Sequence, residues 1–559
     1  MLSGKKTLSI LMAALMCAGA MAGCTSSTPN SSTPVSNSPS ASTTPSTSAS
    51  ASTSGGTSSE APAQPASYDK EVTLEILRRG DVPTEPVEYL LDELLKEKFN
   101  MVWKNSYVAG NDMATKLSTL YASGMEPDFI WAVRPSWGSD DWTDAGYFRG
   151  FTQEEILNLI PGYEHLWDSQ GEGIFKGYLW DYLSWSDGKI YTLPTARDTA
   201  GNMAWMYRKD VFDKCGITSF PTNPDEFLQV CRTIKEKMNI TPLVDTNANL
   251  FVVSKWGMMY GLPDMLPDMP TFKNPVTGEY YDYVYDSDTY RDLLKLASTL
   301  VAEGLMYSEF ATAEADQRDA YVGLGNKAIM FDYPANIAKS NKLQKDTVPD
   351  VDWQWTDVVP SISTEKQAIK KDNYHAADLR AFAFSADDDQ VERMCAFLQW
   401  STTDEGITFH QYGIEGKTYD VVDGKKQIKD QFQTPLKAEG DDLKKWQIGG
   451  SGMWKGTEYI ETYQPVLAEW TEKILNNPSH VYVMPPVMKY TEEEQAREAE
   501  LKTNLTEVVN RWLLLFMLGQ KDINNDAHWD EYKAELKSLG SDELRTIYKT
   551  VYERSGNEM

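Results

Sequence analysis

The sequence predicts an α/β protein with a helix-rich C-terminal segment, and three features of the 559-residue chain carry that reading. Short β-type runs alternate with helix-length apolar stripes from Val72 to Val133, which argues for a largely parallel sheet covered by helices. After Glu492 only helix-period stretches remain, at Glu492 to Leu518, Trp529 to Leu539 and Glu543 to Arg554. A hydrophobic content of 41 % with 17 Trp is ample for sizeable cores, and the length allows three domains or a large two-lobed body.

The elements follow in order. Val72, Leu74 and Ile76 alternate along a strand, and Val87, Leu90, Leu91, Leu94, Leu95 and Phe99 then recur at helical spacing behind Pro86. A second strand, Met101 to Tyr107, leads to a helix with Asp112 as its expected N-cap, Met113, Leu117, Leu120 and Tyr121 on its apolar face, and Gly124 as its stop. Asp128 to Val133 is the third strand, and ligands in parallel sheets gather beyond such C-terminal strand ends. Lys189 to Leu193 and Met203 to Tyr207 read as further strands, followed by a short helix from Val211 to Cys215 closed by Gly216. Asn223 caps the next helix, with Pro224 at its first position, Glu226 in a capping-box place, and Phe227, Val230, Cys231 and Ile234 as core. Asn274-Pro275-Val276-Thr277-Gly278 between aromatic residues reads as a hairpin turn, and helices run from Thr289 to Glu303 and from Val391 to Trp400.

The two ends of the chain's chemistry point away from the cytoplasm and from nucleic acid. With 82 Asp or Glu against 53 Lys or Arg the formal charge is −29, which repels phosphate backbones. Lys5 and Lys6 precede an apolar stretch from Leu8 to Met21 and then Met21-Ala22-Gly23-Cys24, the pattern of a secretory signal ending in a bacterial lipobox. Residues 1–23 are the expected signal peptide and Cys24 the expected lipidated residue. An ordinary secretory signal or a membrane helix is the alternative, but the apolar run is short for a span. Of the 43 residues from 25 to 67, 38 are Ser, Thr, Pro, Ala or Gly, too little apolar area to offset ordering entropy, so 24–67 reads as a flexible tether. Cys215, Cys231 and Cys395 remain, an odd number without metal-like spacing, and read as buried free thiols rather than a redox or disulfide system.

Several patterns imitate catalytic motifs. Gly416-Lys417-Thr418 looks like the end of a phosphate-binding loop, but Gln411 stands where the earlier glycine is required. Asp522-Ile523-Asn524-Asn525-Asp526 looks like the start of a calcium loop, yet Ala527 replaces its glycine and Lys533 its final acid; only a calcium site of another kind stays open, and no cofactor is expected. The five His are scattered, and no Gly-x-Ser-x-Gly elbow occurs. A glycosidase needs only two placed carboxylates, so it stands as the enzyme alternative.

Seven short motifs stand in order along the chain: Pro127-Asp128-Phe129-Ile130-Trp131, Lys189-Ile190-Tyr191-Thr192-Leu193-Pro194, Tyr207 to Ile217, Pro221-Thr222-Asn223-Pro224-Asp225-Glu226-Phe227, Gly325-Asn326-Lys327-Ala328-Ile329-Met330, Tyr412 to Tyr419, and Trp529-Asp530-Glu531-Tyr532. Together they resemble the extracellular solute-binding lipoproteins of ABC importers, especially the long carbohydrate-binding type of Gram-positive bacteria. The resemblance implies a two-lobed α/β fold of the periplasmic-binding-protein type II, with multiple hinge crossovers and the helix-rich C-terminal segment. The first lobe would hold 68–197 and 373–420, and the second 198–372 and 421–559. It further implies a non-catalytic, monomeric receptor, lipid-anchored at the membrane, that closes over an oligosaccharide and hands it to an ABC permease. A peptide or sensory-ligand receptor of the same fold is the other reading.

Sugar rings carry apolar C–H faces and hydroxyl edges, so a site pairs flat aromatics with hydrogen-bonding groups. Arg134 and Trp137 satisfy this beyond the third strand, and Arg197 and Asp198 form an expected hydroxyl clamp before the first lobe crossing. Trp205 is equally a ligand or a core residue. Asp332 and Tyr333 stand at another strand end, Trp454 follows a glycine-rich loop, and Glu415 either touches ligand or fixes the interlobe turn.

Overall fold

In a computed structural model, residues 68–79, 90–108, 112–133, 139–164, 180, 183–185, 187–193, 203–244, 255–262, 269–312, 317–370, 379–429, 465–483 and 486–559 are described. The first sheet is built from β1 (Val72–Arg79), β2 (Met101–Val108) and β3 (Phe129–Val133). β1 lies parallel to both others, as the alternation of strands and helices requires. The first helix is described over Leu90–Phe99, and the second over Met113–Ala122. Asp112 occupies the expected N-cap position of the second helix, but its backbone is already helical and its side chain makes no capping bond. Gly124 ends the turn beyond it at φ +64°, a conformation only glycine adopts freely.

The expected strand from Lys189 to Leu193 is reduced to single bridges, Ile190 to Phe151 and Ser184, and Leu193 to Arg380. β4 (Ala204–Arg208) opens the second sheet. It is followed by the helix Lys209–Cys215, closed by Gly216 at φ 70°, and by Pro224–Met238. Asn223 caps the latter by accepting from the Glu226 N–H at 2.9 Å. The Glu226 carboxylate reaches one residue further back than a capping box, to the Thr222 N–H and hydroxyl. β5 (Phe272–Lys273) and β6 (Tyr280–Tyr281) form the hairpin around Asn274 to Gly278, with Gly278 at φ +77°.

β7 (Ile329–Asp332) and β8 (Trp353–Thr356) both pair antiparallel with β4, so the second sheet is antiparallel throughout, whereas β1, β2 and β3 of the first run parallel. β9 (Gln367–Lys370) waits for a parallel partner until β13 (His480–Val483). β10 (Leu379–Phe382) returns to the first sheet antiparallel to β3, giving the order β10-β3-β1-β2. The hairpin of β11 (Tyr419–Val422) and β12 (Lys425–Ile428) follows. The chain ends in three helices, Glu492–Met517, Asp526–Ser538 and Ser541–Arg554. Thr491 caps the first of these in a complete capping box with Glu494.

Residues 65–559 form one compact unit, and within it the buried side chains divide into two large cores. One draws on 72–193 and 379–428, including Leu74, Phe129, Phe382 and Ile428. The other draws on 204–369 and 470–548, including Trp205, Tyr290, Trp512 and Tyr548. A small third cluster, Met206, Val244, Val322, Met330, Val351 and Trp353, fills the opposite face of the second sheet, because successive strand residues point to opposite sides. This is a two-lobed α/β architecture whose chain passes between the cores after Leu193, after Ile369 and after Ile428. Cys215, Cys231 and Cys395 are buried free thiols. Among the described residues no helix is long and apolar enough to cross a membrane.

Candidate functional site

Antiparallel pairing decides which residues share the edge of the second sheet where the chain enters from the first lobe. Ala204 is opposite Asp332, and Trp205 is opposite Thr356, so β4 begins where β7 and β8 end. Asp332 is buried; its Oδ1 accepts the Tyr333 N–H at 2.7 Å and the Asn336 Nδ2 at 3.2 Å. Those bonds hold the aspartate against the 3₁₀ turn Pro334–Asn336, and Tyr333 is left 43 % exposed beside it. The structure therefore keeps Asp332 and Tyr333 together at a strand end. Trp205 is 1 % exposed, with ring centroids 5.1 Å from Phe227 and 5.3 Å from Phe331. A central-strand residue on the inward face has no other place to go, and here its ring is covered by core neighbours.

The matching edge of the first sheet lies where β3 ends and β10 begins. Val133 is opposite Leu379, and Leu193 exchanges backbone hydrogen bonds with Arg380 at 2.6 and 2.8 Å. Two buried guanidinium groups flank the Trp131 ring there, Arg78 at 4.7 Å and Arg380 at 4.4 Å from its centroid. Burial pushes the Tyr163 phenol well above its ordinary range, an effect the nearby Arg380 partly opposes. The first edge is thus cationic and aromatic, while the second presents Asp332 and, after β8, Asp357. The Asp357 carbonyl accepts from His480 Nε2 at 2.9 Å. Buried cations beside an aromatic ring at one strand end, and a carboxylate beside a half-open tyrosine at another, are chemistry that suits a polar solute with apolar faces.

Glu415 is exposed in a turn between Gly413 and Gly416, whose φ values are 84° and 78°. The turn is stapled by Thr418 Oγ1, which accepts the Ile414 N–H at 2.7 Å and donates to the Tyr412 carbonyl at 2.6 Å. Burial, with the Glu415 charge adding to it, raises the Tyr419 phenol. Arg134, Trp137, Arg197, Asp198, Trp454 and the lipidation residue Cys24 lie outside the described residues. Sequence reasoning did not single out Arg78, Arg380, Thr356 or Asp357 at these strand ends. The alternation of Trp353 and Trp355 before Thr356 was a usable strand signal; nothing marked the two arginines.

Among the described residues no group of three or more His, Cys, Asp or Glu is placed to hold a metal ion. The Asp522 loop serves locally: Asp522 accepts the Asn524 N–H at 2.9 Å, and Asn525 caps the helix after it through the Ala527 N–H at 3.0 Å.

These two lobes, joined by repeated crossings, define a solute-binding architecture. Residues 81–408 match the profile of the bacterial extracellular solute-binding proteins, and the chain belongs to that family, whose members bind solutes. No curated protein matches the chain. Among solved structures, the fold is similar to that of the alginate-binding protein AlgQ2, crystallised without calcium ion. The TM-score is 0.68 and the identity 18 %, covering 87 % of this chain and 99 % of that one. It is also similar to the Streptococcus pneumoniae ABC-transporter substrate-binding protein FusA in complex with kestose, with TM-score 0.64, 17 % identity and coverage of 87 % and 99 %. A third similar structure is the HMO-binding, ABC-transporter-associated solute-binding protein of Bifidobacterium longum infantis, with TM-score 0.60, 17 % identity and coverage of 88 % and 100 %.

Proposed function

We propose that this chain is the membrane-tethered receptor of an ABC importer and that its cargo is an oligosaccharide. The observation that carries the reading is the likeness over 87 % of the chain to one protein named for binding alginate and to another complexed with kestose. The site chemistry supports it: aromatic rings beside buried cations on one sheet edge, and Asp332 with the half-open Tyr333 on the other. In this reading Arg134, Trp137, Arg197, Asp198, Tyr333, Asp332, Glu415 and Trp454 contribute to the ligand surface.

Lipidation of Cys24 holds the receptor beside its permease, and a coil of the tether's length has an end-to-end distance of about 35 to 40 Å. Two acyl chains anchor stably where one binds only marginally. The receptor acts as a monomer, and loading shifts it to a closed form only through contacts the open form lacks.

Calorimetry of the purified chain against oligosaccharides and peptides tests the assignment. Saturable binding of a glycan is expected, with stoichiometric retention and no product release from labelled glycan. Binding of peptides with no response to any sugar overturns it. Trp137→Ala is expected to weaken glycan binding by about 1 to 3 kcal/mol.

A further inference from the structure

Between residues 25 and 67 the chain has no Lys or Arg, and no Phe, Tyr, Trp, Leu, Ile or Met. A trypsin-type protease needs a basic side chain in its specificity pocket, and a chymotrypsin-type protease an aromatic or large apolar one. Beyond Cys24 the first residues to offer either are Tyr68 and Lys70, where the folded body begins. Both are held by the first lobe. The Tyr68 carbonyl accepts from Asn100 Nδ2 at 2.9 Å, and the Arg393 guanidinium lies 3.7 Å from the centroid of its ring. The Lys70 carbonyl accepts from Arg393 Nη1 at 3.2 Å, and the Lys70 ammonium pairs with Asp389. Arg393 is 7 % exposed, stands in the helix Asp388–Trp400, and donates from the same nitrogen to the Phe99 carbonyl at 2.6 Å. Two residues on, the Val72 N–H donates to the Asn100 carbonyl at 3.0 Å and β1 begins. Cleavage requires the carbonyl of the bond that breaks to enter an oxyanion hole and the side chain before that bond to enter a pocket. At Tyr68 and Lys70 carbonyl and side chain are both engaged, so the segment must leave Asn100 and Arg393 before either bond can be hydrolysed.

We propose that Asn100, Asp389 and Arg393 form a clasp that guards the junction of tether and body against shedding by trypsin-type and chymotrypsin-type proteases. The inference rests on the membrane-anchored reading above and deepens it. Composition removes the sites for these two classes from the tether, and the clasp covers the first two that follow. The exposed Lys70–Asp389 pair adds little by itself, and the buried Arg393 with its two carbonyl acceptors carries most of the hold.

The test uses the full chain, purified and on membrane vesicles from cells that express it, with limiting trypsin or chymotrypsin. Mass spectrometry follows the new N-termini Glu71 and Asp69. Cleavage of the wild type at either bond is expected to be at least about 100-fold slower than in a peptide of residues 60–76. Arg393→Met should speed trypsin cleavage after Lys70 about 10-fold or more, and Asn100→Gly should speed chymotrypsin cleavage after Tyr68 roughly 3- to 10-fold. Glycine suits the second site because Asn100 has φ +43°. Melting curves confirm that each variant folds, and if Arg393→Met does not, Asn100→Gly decides. Wild-type cleavage at the peptide's rate, or unchanged rates in folded variants, overturns the clasp. Protein that is absent from the vesicles before protease is added overturns the anchored reading instead, while the rates on the purified chain still decide the clasp.

Discussion

His410 makes the first lobe sensitive to acid, and the size of the effect follows from its surroundings. It lies in the helix Asp404–Tyr412, fully buried among the rings of Phe397, Trp400 and Phe409 at 5.7 to 5.8 Å. Its Nε2 is 2.9 Å from Ser401 Oγ, and that hydroxyl donates to the Phe397 carbonyl at 2.8 Å. Nε2 must therefore carry the proton, and Nδ1 presents a bare lone pair with no partner among the described residues. Protonating Nδ1 would bury a charge and an unanswered donor together. Burial, and secondarily the Arg380 charge, hold the imidazole from its ordinary 6.5 down to about 3.

The folded state thus binds fewer protons than the unfolded chain between about pH 3 and pH 6.5, so stability is complete above that window and falls as pH drops through it. At about 1.4 kcal/mol per unit, lowering the pH from 7 to 5 should cost about 2 kcal/mol through this residue alone. His410→Gln keeps a donor toward Ser401 and cannot titrate. Urea unfolding followed by tryptophan fluorescence, at pH 7, 6 and 5, compares the two proteins. The wild-type advantage should shrink by about 2 kcal/mol from pH 7 to 5, whatever the fixed cost of the substitution. Parallel stability curves would show that the imidazole titrates normally in the fold, and the argument from burial would be wrong.

Three further perturbations are expected to act at named contacts. Arg208→Ala removes the buried partner of Asp210, which keeps the Asp352 N–H at 3.2 Å and Lys214 at 3.7 Å, and should cost about 3 to 5 kcal/mol in urea unfolding; a loss near zero would refute the buried pair. In Gly406→Ala the new Cβ would sit 2.0 Å from the Trp400 carbonyl oxygen and 2.7 Å from Ser401 Cα. Backbone must move, and a loss of about 1 to 3 kcal/mol should appear as a lower melting temperature, which an unchanged melting curve would contradict. Tyr333→Ala removes a ring that is 43 % exposed, so calorimetry should find glycan binding weaker by about 1 to 3 kcal/mol with stability nearly unchanged; equal affinity would take Tyr333 out of the site.

Much of the secondary structure was legible because local patterns there agree with tertiary demands. The stripe Phe227, Cys231 and Ile234 is buried as its spacing requires, and Asn223, Thr491 and the left-handed Gly216 end their helices as their residue types favour. Lys189 to Leu193 failed as a strand for a non-local reason. Its β-type residues are met by separate partners at Ile190 and Leu193, so no continuous ladder forms. The antiparallel second sheet was equally hidden, since β4, β7 and β8 are far apart in sequence and direction depends on the connections between them. Of the site, Asp332 and Tyr333 were found at a strand end where local reading placed them. Arg78 and Arg380 were not, because a guanidinium is assigned to solvent by its type and only assembly of β1, β3 and β10 sets both against Trp131.

By itself the sequence determined what short-range physics controls: an acidic chain unsuited to nucleic acid, and helices bounded by their own caps. Resemblance to a known family in seven ordered motifs added the expectation of two lobes. The tertiary structure alone decided which strand ends share an edge, that Trp205 is enclosed by Phe227 and Phe331, and that it lines one cavity with Trp470, more than 260 positions later in the chain. Caps and periodicity act over a few residues, whereas burial and the meeting of edges depend on contacts closed across hundreds, and no local pattern encodes those distances.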